Sequence, residues 1–178
     1  MLATRSLVFL TTLAVLVSCC ARVPAAPSVE TPRLSHASPS IAALADSLLN
    51  ALAANDERAL HQLRVSESEY RTVIEPATVE PGQPPRHIDE ASSKLFWSML
   101  DTKSRDFARP LLAEFGGKTL TRKDIRFARG IHVYAGYTAH SQMRVLVADE
   151  HGKETLVRSG TVAQVGDQYK LIGLNWDD

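Results

Sequence analysis

The chain contains almost no cysteine: its two thiols are adjacent, at Cys19 and Cys20, and none follows them. Without thiols, the sequence after position 20 cannot form a disulfide, a thiolate metal site or a cysteine nucleophile. We therefore expect the folded part of the protein to be stabilised by side-chain packing rather than by disulfides or thiolate-bound metal.

An excess of charge is missing as well, because 20 Lys and Arg residues balance 20 Asp and Glu residues. Basic and acidic residues are interspersed along the chain, whereas nucleic-acid-binding domains typically show a clustered basic excess. We therefore expect no nucleic-acid partner. The chain also lacks a Gly-x-Ser-x-Gly nucleophile turn and a glycine-rich phosphate loop, and so carries no motif for serine hydrolysis or nucleotide binding.

Long apolar runs are scarce too. The most apolar stretch, Leu7 to Val17, follows Arg5 and holds about 11 residues, fewer than the roughly 20 that span a bilayer. A positive residue followed by an apolar run of this length is typical of a secretory signal. The stretch runs into Leu16-Val17-Ser18-Cys19, which resembles the bacterial lipobox. That resemblance implies cleavage before Cys19, a diacylglyceryl group on its sulfur, and sorting to the outer membrane where one is present.

Two alternatives to a lipoprotein signal remain open, namely an ordinary secretory signal cut near Val23-Pro24-Ala25 and an uncleaved anchor. We expect residues 1–18 to be the signal peptide. Residues 19–38 are expected to be the lipidated cysteine and a disordered tether rich in Pro, Ala and Ser. Residues 39–178, roughly 140 in number, suit a single domain with its own core.

The first half of this domain shows helical periodicity, and capping residues mark the expected helix starts. The first helix is predicted to begin at Ser38, with Pro39 in its first turn. Ser66 and Glu69 have the spacing of a capping box, and Pro76 is expected to end the helix that follows. The caps of the remaining helices are expected at Asp56 and Asp89.

Residues 75–86 are rich in proline and are expected to form an exposed loop before the next helix. In that helix Trp97 is placed at the flank, and the buried face is predicted from four apolar residues, Leu95, Phe96, Met99 and Leu100. A further helix is predicted to follow, with Phe107, Leu111, Leu112 and Phe115 as its apolar residues. Pro110 within it is expected to introduce a kink or a restart, and Gly116-Gly117 is expected to end it.

After Gly117 the apolar period changes to two, which predicts strands. Turns are expected at Asp149-Glu150-His151-Gly152 and at Gly166-Asp167, so four long strands are predicted. One of them begins near Ala135, and its apolar face is Ala135, Tyr137, Ala139, Ser141, Met143, Val145 and Val147. Helices followed by an antiparallel meander predict an α+β fold.

This order of elements resembles the NTF2-like (SnoaL-like) superfamily, in which a curved antiparallel sheet wraps a long helix in a cone. The resemblance covers residues 40–178. It implies N-terminal helices packed in a curved sheet of about four strands and an address in the envelope, but no established activity. Four segments are similar to uncharacterised bacterial envelope proteins of that shape: Ser66–Tyr70, Tyr134–His140, Asp149–Gly152 and Gly166–Leu171.

Five residues are candidates for an apolar ligand pocket at the open end of such a cone: Trp97, Tyr134, Tyr137, His140 and Trp176. Aromatic walls with a few polar tips suit a ligand cavity, and His140 would act as a general base only where neighbours orient it. The competing interpretation places Tyr137 in the core, His140 in solvent and Trp176 as a packing anchor of the last strand. No catalytic residue is assigned, and Asp101 is placed as a surface or cap group.

A metal site is not expected, because the histidines do not converge in the sequence. If His132 and His140 lie on one continuous strand, a rise of about 3.3 Å per residue separates them by about 26 Å. Zinc needs each ligand nitrogen at about 2.0–2.1 Å. We therefore predict no cofactor.

These observations predict an exported lipoprotein of the cell envelope, attached to a membrane through its lipidated cysteine. Its body is expected to be a non-catalytic domain that binds an envelope protein or a small apolar ligand. The alternative is a cavity enzyme of isomerase or dehydratase type, so whether the protein is an enzyme stays open. A third alternative is an assembly domain that forms a homodimer through an exposed apolar sheet face.

Overall fold

The computed structural model describes residues 32–175, which form an α+β fold with the helices first and the strands last. The predicted signal peptide, Cys19 and Trp176 lie outside the described residues. The helical elements are α1 (Ile41–Ala53), α2 (Glu57–Gln62), α3 (Glu67–Glu69), a π-helix (Tyr70–Ile74), α4 (Glu75–Ala77) and α5 (Glu90–Phe115). The strands are β1 (Thr121–Phe127), β2 (Ile131–Val133), β3 (Thr138–His140), β4 (Met143–Ala148), β5 (Glu154–Arg158), β6 (Val162–Val165) and β7 (Gln168–Leu171). None of these helices combines the length and the apolar composition needed to cross a membrane.

Three of the predicted helix starts are confirmed by their cap geometry. The side chains of Asp56, Ser66 and Asp89 each accept a hydrogen bond from a backbone N–H in the first turn of the helix that follows. Ser66 and Glu69 also complete the predicted capping box. These caps satisfy N–H groups that would otherwise lack partners at a helix end.

The first helix starts two residues later than predicted. Ser40, not Ser38, caps α1 by accepting from a backbone N–H at 3.1 Å. The backbone of Ser38 instead pairs with Tyr169, with N–O distances of 3.0 and 2.9 Å. Leu34 is buried as well. Residues 32–38, which the sequence analysis assigned to the tether, therefore pack against the folded body.

The prediction that Pro76 ends the third helix is wrong. Pro76 lies in the first turn of α4, where its missing N–H costs little. Glu75, expected at the start of an exposed loop, is helical and buried. The loop rich in proline begins after Ala77.

The prediction of two helices here is wrong, because α5 is one continuous helix that runs through Pro110, where a kink or a restart was predicted. A proline inside a helix removes one N–H donor and frees the carbonyl four residues earlier, that of Asp106. Both residues are exposed, so water can satisfy this carbonyl. The helix ends at Phe115 with Gly116 as its cap, as expected.

The predicted buried face of α5 is wrong in the N-terminal half of the helix. Leu95, Phe96 and Met99 are 59%, 43% and 53% exposed. The C-terminal half packs large apolar residues in the core. Because the helix is continuous, this packing also fixes which side of the N-terminal half faces the core. The face turned inward therefore follows one stripe at spacings of three and four, and its fully buried members are Ser93, Ser104, Ala108, Leu111 and Phe115.

The strands form two antiparallel sheets in place of the single four-stranded sheet predicted. One sheet has the order β1-β4-β5 and the other the order β2-β3-β6-β7. Two residues separate β3 from β4 and three separate β5 from β6, so each of these pairs corresponds to one predicted long strand, whereas β2 was not predicted. Both predicted turns, Asp149–Gly152 and Gly166-Asp167, connect consecutive strands.

Backbone hydrogen bonds continue across these breaks. The N–H of Ala128 donates to the carbonyl of Gln142 at 3.1 Å, and the N–H of Met143 donates to the carbonyl of Gly160 at 3.0 Å. Gln142 has a positive φ of 56°, which changes the direction of the strand sharply. The two sheets are therefore parts of one strongly bent set of hydrogen-bonded strands.

Strands β2 and β3 form a hairpin, and the continuous strand predicted from Ala135 is divided into β3 and β4. The hairpin turn is closed by a hydrogen bond from the Tyr134 N–H to the Tyr137 carbonyl at 2.8 Å. His132 and His140 consequently lie on adjacent strands, so the separation of roughly 26 Å expected along one strand is wrong. The register pairs His132 with the residue that precedes His140, which places the two histidines on opposite faces.

Two apolar clusters fill the interior of the described body. The smaller one contains Tyr137, as one interpretation of the sequence predicted, and Trp97 packs against it. The larger one joins α1 and the C-terminal half of α5 to strands of both sheets. Its fully buried side chains include Leu44, Leu48, Met143, Val145 and Leu171.

Candidate functional site

An open cleft of about 700 Å³ lies between the first described residues, α2 and the middle of α5. We call it the arginine cleft, after Arg64 at its floor. The charged side chains among its described lining residues are Glu57, Arg58, Arg64, Asp101, Arg105 and Lys170.

The backbone on either side of Arg64 is held against the last strand. The N–H of Val65 donates to the carbonyl of Leu171 at 2.8 Å, and the N–H of Leu171 donates to the carbonyl of Leu63 at 2.9 Å. This bridge turns the Arg64 side chain toward α5, where only 3% of its surface is exposed.

The guanidinium of Arg64 makes three contacts in the cleft. Its Nη1 donates to Asp101 Oδ1 at 3.0 Å and to His61 Nδ1 at 3.1 Å. The guanidinium carbon lies 5.5 Å from the centre of the Trp97 ring, within cation–π range. Trp97 and Asp101 are four residues apart on α5, so one face of this helix supplies both.

Several N–H donors of the cleft have no acceptor. Nε and Nη2 of Arg64 are buried without a hydrogen-bond partner among the described residues. Because arginine has no acceptor atom, His61 Nδ1 accepts and the neutral ring carries its hydrogen on Nε2. That Nε2 is likewise buried and unpartnered, since Glu57 Oε1, 3.5 Å away, is poorly placed to accept from it. Among the described residues, the groups at the floor of the cleft that lack a hydrogen-bond partner are therefore donors.

Burial and pairing act in opposite directions on the two charged groups at the centre of the cleft. Burial lowers the pKa of Arg64, and the hydrogen bond to Asp101 raises it in part. Partial burial opposes the ionisation of Asp101, but hydrogen bonds from Arg105 and Arg64 outweigh it and hold the Asp101 pKa below its ordinary value. Asp101, whose side chain is 26% exposed, is thus the charged partner of a buried cation, a role that its predicted position as a surface or cap group did not indicate.

A second buried ion pair lies beside the cleft. Lys170 Nζ donates to Glu69 Oε2 at 2.9 Å, and both side chains are almost fully buried. Glu69 also accepts from the Ser66 N–H at 2.7 Å and from the Ser35 hydroxyl at 2.8 Å. Burial by itself raises the pKa of Glu69, but these hydrogen bonds outweigh it and lower the pKa to about 2.

The arginine cleft suits an anionic ligand. Four of its six charged lining residues are basic, and Nε and Nη2 form the edge of a guanidinium that binds a carboxylate through two parallel hydrogen bonds. Trp97 adds an apolar wall for the rest of a small organic molecule. Within residues 32–175, no group of three or more His, Cys, Asp or Glu side chains is arranged to hold a metal ion.

Of the residues predicted to line an aromatic pocket, the structure brings three together, Trp97, Tyr134 and Tyr137, as packed side chains of the smaller apolar cluster. Trp97 lines the arginine cleft and contacts Tyr70, with ring centroids 5.6 Å apart. Tyr134 and Tyr137 stack on each other at 4.9 Å and belong to the smaller apolar cluster. Trp176 lies outside the described residues.

His140 is buried, so the expectation that it is solvated is wrong. Its Nε2 donates to Gln164 Oε1 at 2.9 Å. The rings of Phe127 and Tyr169 lie near the imidazole, at centroid distances of 5.1 and 6.5 Å, and cover the sheet face that was expected to meet solvent. His140 is not among the residues that line the arginine cleft.

Sequence reasoning missed Arg64, His61 and Lys170 as site residues. Lys170 offered no signal, because a charge that alternates with apolar residues on a strand is expected on the solvent face. His61 and Arg64 are three residues apart, a spacing that brings side chains together on a helical turn. Their partner Asp101 is 37 positions from Arg64, and no local pattern connects the two.

No protein-family model, curated protein or solved structure matches this chain. The geometry and chemistry of the arginine cleft therefore carry its functional assignment.

Proposed function

We propose that this chain is a lipid-anchored protein of the cell envelope, that its body is a non-catalytic binding domain, and that the arginine cleft binds a small organic carboxylate or phosphate. The observation that carries the binding part is the buried guanidinium of Arg64, whose Nε and Nη2 have no acceptor among the described residues. A buried cation that is only partly paired is stabilised when an anion completes its hydrogen bonds.

The walls of the cleft favour an organic anion with an apolar part. The Trp97 ring contacts the guanidinium of Arg64 and offers an apolar surface beside it. The free donors at the floor are screened from solvent, so a ligand reaches them after a side chain at the rim has moved. Arg105 suits this role because its side chain is 67% exposed, and only its bond to Asp101 would be exchanged for one to the ligand.

The sequence supports a location in the cell envelope. The apolar stretch before Leu16-Val17-Ser18-Cys19 supports export and lipidation. With cleavage before Cys19, residues 19–31 would connect the lipid to the described body, and they would reach about 40 Å if fully extended. The body begins at Pro32, whose carbonyl accepts from Gln168 Nε2 at 3.1 Å.

We infer that the body has the NTF2-like architecture suggested by the sequence. The bent strands support this inference, because α1 and α5 pack in one cluster with residues of both sheets. Those residues include Val145 and Val157 from one sheet and Val162 and Leu171 from the other. Superposition of an experimental structure of the body on members of that superfamily tests the inference.

Metabolic labelling tests the envelope part. Cells that express the full chain with radioactive palmitate are expected to incorporate label into the wild type and into Cys20→Ser. Cys19→Ser is expected to remain an unlabelled precursor, because it lacks the sulfur that carries the lipid. An unlabelled wild type, or a labelled Cys19→Ser, would contradict lipidation at Cys19.

Titration of the full chain in detergent micelles, followed by calorimetry and by NMR, tests the binding part. We expect benzoate to bind and to shift the NMR resonance of the Trp97 indole N–H. Benzamide, a neutral molecule of the same size, is expected to leave this resonance in place. His61→Leu removes one donor and is expected to weaken benzoate binding about tenfold. His151→Leu, at an exposed turn, is the control. Equal binding of benzamide and benzoate, or an unchanged affinity in His61→Leu, would refute the assignment.

A cavity enzyme of isomerase or dehydratase type is the second candidate, and one observation favours it. Glu75 is a buried carboxylate near Tyr70, and the Tyr70 pKa is raised by burial and by the Glu75 charge. Such an enzyme needs a deep cavity within the curve of the strands. Met143 and Leu171 are fully buried in that region and Phe127 packs against their cluster, so we favour binding over catalysis.

A further inference from the structure

A second pocket, of about 730 Å³, lies between the start of α5 and the segment from α3 to α4. We call it the glutamate pocket, after the buried Glu75. We propose that it binds the ammonium group of a small organic cation. This proposal does not depend on the function proposed for the arginine cleft, because the two sites share no lining residue.

Glu75 carries an incomplete set of hydrogen bonds in a buried position. The residue is 6% exposed, and its Oε2 accepts from the Ser93 hydroxyl at 2.5 Å. Its Oε1 is buried without a hydrogen-bond partner among the described residues. A buried carboxylate is stabilised when its charge is paired and its oxygens are hydrogen-bonded. One oxygen of Glu75 is thus bound by a neutral hydroxyl, and the other can accept.

The π-helix explains why Glu75 lies on this side of the chain. Backbone hydrogen bonds in a π-helix join residues five apart, and the Glu75 N–H donates to the Tyr70 carbonyl. In an α-helix two residues with this spacing would be offset by about 140° around the axis. The wider turn instead brings both toward α5, where Tyr70 contacts Trp97 and Glu75 contacts Ser93. Such turns often occur at functional sites.

The nearby cation, Arg71, already has hydrogen-bond and ionic partners. Arg71 Nε donates to the Ser93 hydroxyl at 3.2 Å, so it reaches Glu75 only through that serine. Its other nitrogens lie 3.5 Å from Glu67 Oε1 and 3.8 Å from Glu90 Oε1. The charge of Glu75 therefore has no direct ionic partner among these contacts.

The composition of the pocket favours a cation over an anion. Its described lining contains four carboxylates and two guanidinium groups: Glu67, Glu75, Asp89, Glu90, Arg71 and Arg86. A primary ammonium has three N–H donors in a compact charge. After a side chain at the rim has moved, one would bind the buried Oε1 of Glu75, and the others would bind carboxylates at the rim in exchange for their contacts to Arg71. A metal ion is a weaker fit, because no three of these groups are arranged to ligate one in the described residues.

Titration of the full chain in detergent micelles with benzylammonium tests this site, and benzyl alcohol serves as the neutral probe of similar shape. We expect benzylammonium to bind and to shift the backbone amide resonances of Arg71 and Ser93. Benzyl alcohol is expected to leave them unchanged. Glu75→Gln removes the charge and is expected to weaken benzylammonium binding about thirtyfold. Glu150→Gln, the same substitution at an exposed turn, is expected to bind like the wild type.

A second variant keeps the test decisive if Glu75→Gln fails to fold. Ser93→Ala retains the carboxylate and removes its hydroxyl donor, so benzylammonium is expected to bind as tightly as to the wild type or more tightly. His61→Leu, in the arginine cleft, is expected to leave this binding unchanged. Equal binding of the alcohol, or loss of binding in Ser93→Ala, would overturn the proposal without affecting that for the arginine cleft.

Discussion

The arginine cleft and the glutamate pocket are built in the same way but with opposite charge. In each, the chain before α5 contributes a buried ionisable group, Arg64 or Glu75, and α5 contributes the polar side chain that binds it, Asp101 or Ser93. In each, part of the buried group lacks a hydrogen-bond partner among the described residues. The two sites differ in the partner of the buried charge, which is a carboxylate for Arg64 and a neutral hydroxyl for Glu75.

One face of α5 serves both sites. Ser93 and Asp101 lie at the two sites, and Trp97 between them contacts Tyr70 and Arg64. A spacing of four residues puts these α5 side chains on the same side of the helix. The helix therefore supplies a polar stripe with an aromatic centre, and the segment packed against it decides the sign of the charge at each end.

The largest effect is expected where a buried charge is fully paired, at Lys170 and Glu69. Glu69→Gln leaves Lys170 buried without its carboxylate, and we expect the free energy of unfolding at pH 7 to fall by about 3 kcal/mol in urea denaturation. Glu67→Gln, on the same short helix, is the control. Its side chain is exposed, so a change of about 0.5 kcal/mol or less is expected. A loss in Glu69→Gln no greater than in the control would show that complete pairing contributes little.

The same pair predicts how stability depends on pH. The Glu69 pKa is lowered from 4.5 to about 2 in the folded protein, so the unfolded chain takes up the proton more readily. Its contribution to stability is fully present above the unfolded pKa and is lost as the pH falls toward the folded pKa. The difference in stability between the wild type and Glu69→Gln is therefore expected to shrink between about pH 5 and pH 2. A constant difference over this range would contradict the assignment.

A smaller effect is expected when the charged partner of Arg64 is removed. Asp101→Asn weakens the bond to a buried guanidinium and is expected to cost about 2 kcal/mol of unfolding free energy. The same change removes a competing carboxylate, so benzoate should bind more tightly than to the wild type. Arg105→Ala loses only an exposed contact to Asp101 and should cost under about 1 kcal/mol. Weaker benzoate binding to Asp101→Asn would break the comparison of the two sites.

The smallest effect is expected at the neutral partner of Glu75. Ser93→Ala removes the hydroxyl that binds Glu75 and Arg71, and we expect a loss of about 1 kcal/mol, measured by urea denaturation. The loss is smaller than at Asp101 because a neutral donor compensates a buried charge less than a carboxylate does. A greater loss in Ser93→Ala than in Asp101→Asn would reverse this ranking.

Three of the helix caps and two of the hairpin turns could be predicted because they depend on residues close in sequence. The capping box of Ser66 and Glu69 and the turn at Gly166-Asp167 are examples. The rotation of α5 could not be predicted from its N-terminal half, because the more apolar stripe there, with Leu95 and Met99, faces solvent. The phase set by the apolar residues after Ser104 decides which side is buried.

Of the arginine cleft, the sequence indicated one wall, Trp97, and missed the charged floor. An aromatic residue on a helix flank is visible as a pattern, whereas Arg64 gains its meaning from Asp101 and His61 together. Glu75 was missed for a different reason. A following proline predicts a loop, but the π-helix continues directly into α4, so Glu75 is helical and contacts Ser93 of α5.

By itself, the sequence determined that the folded body has no thiols, that helices precede strands, and where three helix caps and two hairpin turns fall, because each property follows from composition or from neighbours along the chain. The tertiary structure alone decided the bends in the long strands, the face that α5 buries, and the pairing of Arg64 and Glu75 with residues of that helix. These depend on contacts between distant segments. Their free energy comes from burial and from completed hydrogen bonds, which no local pattern specifies.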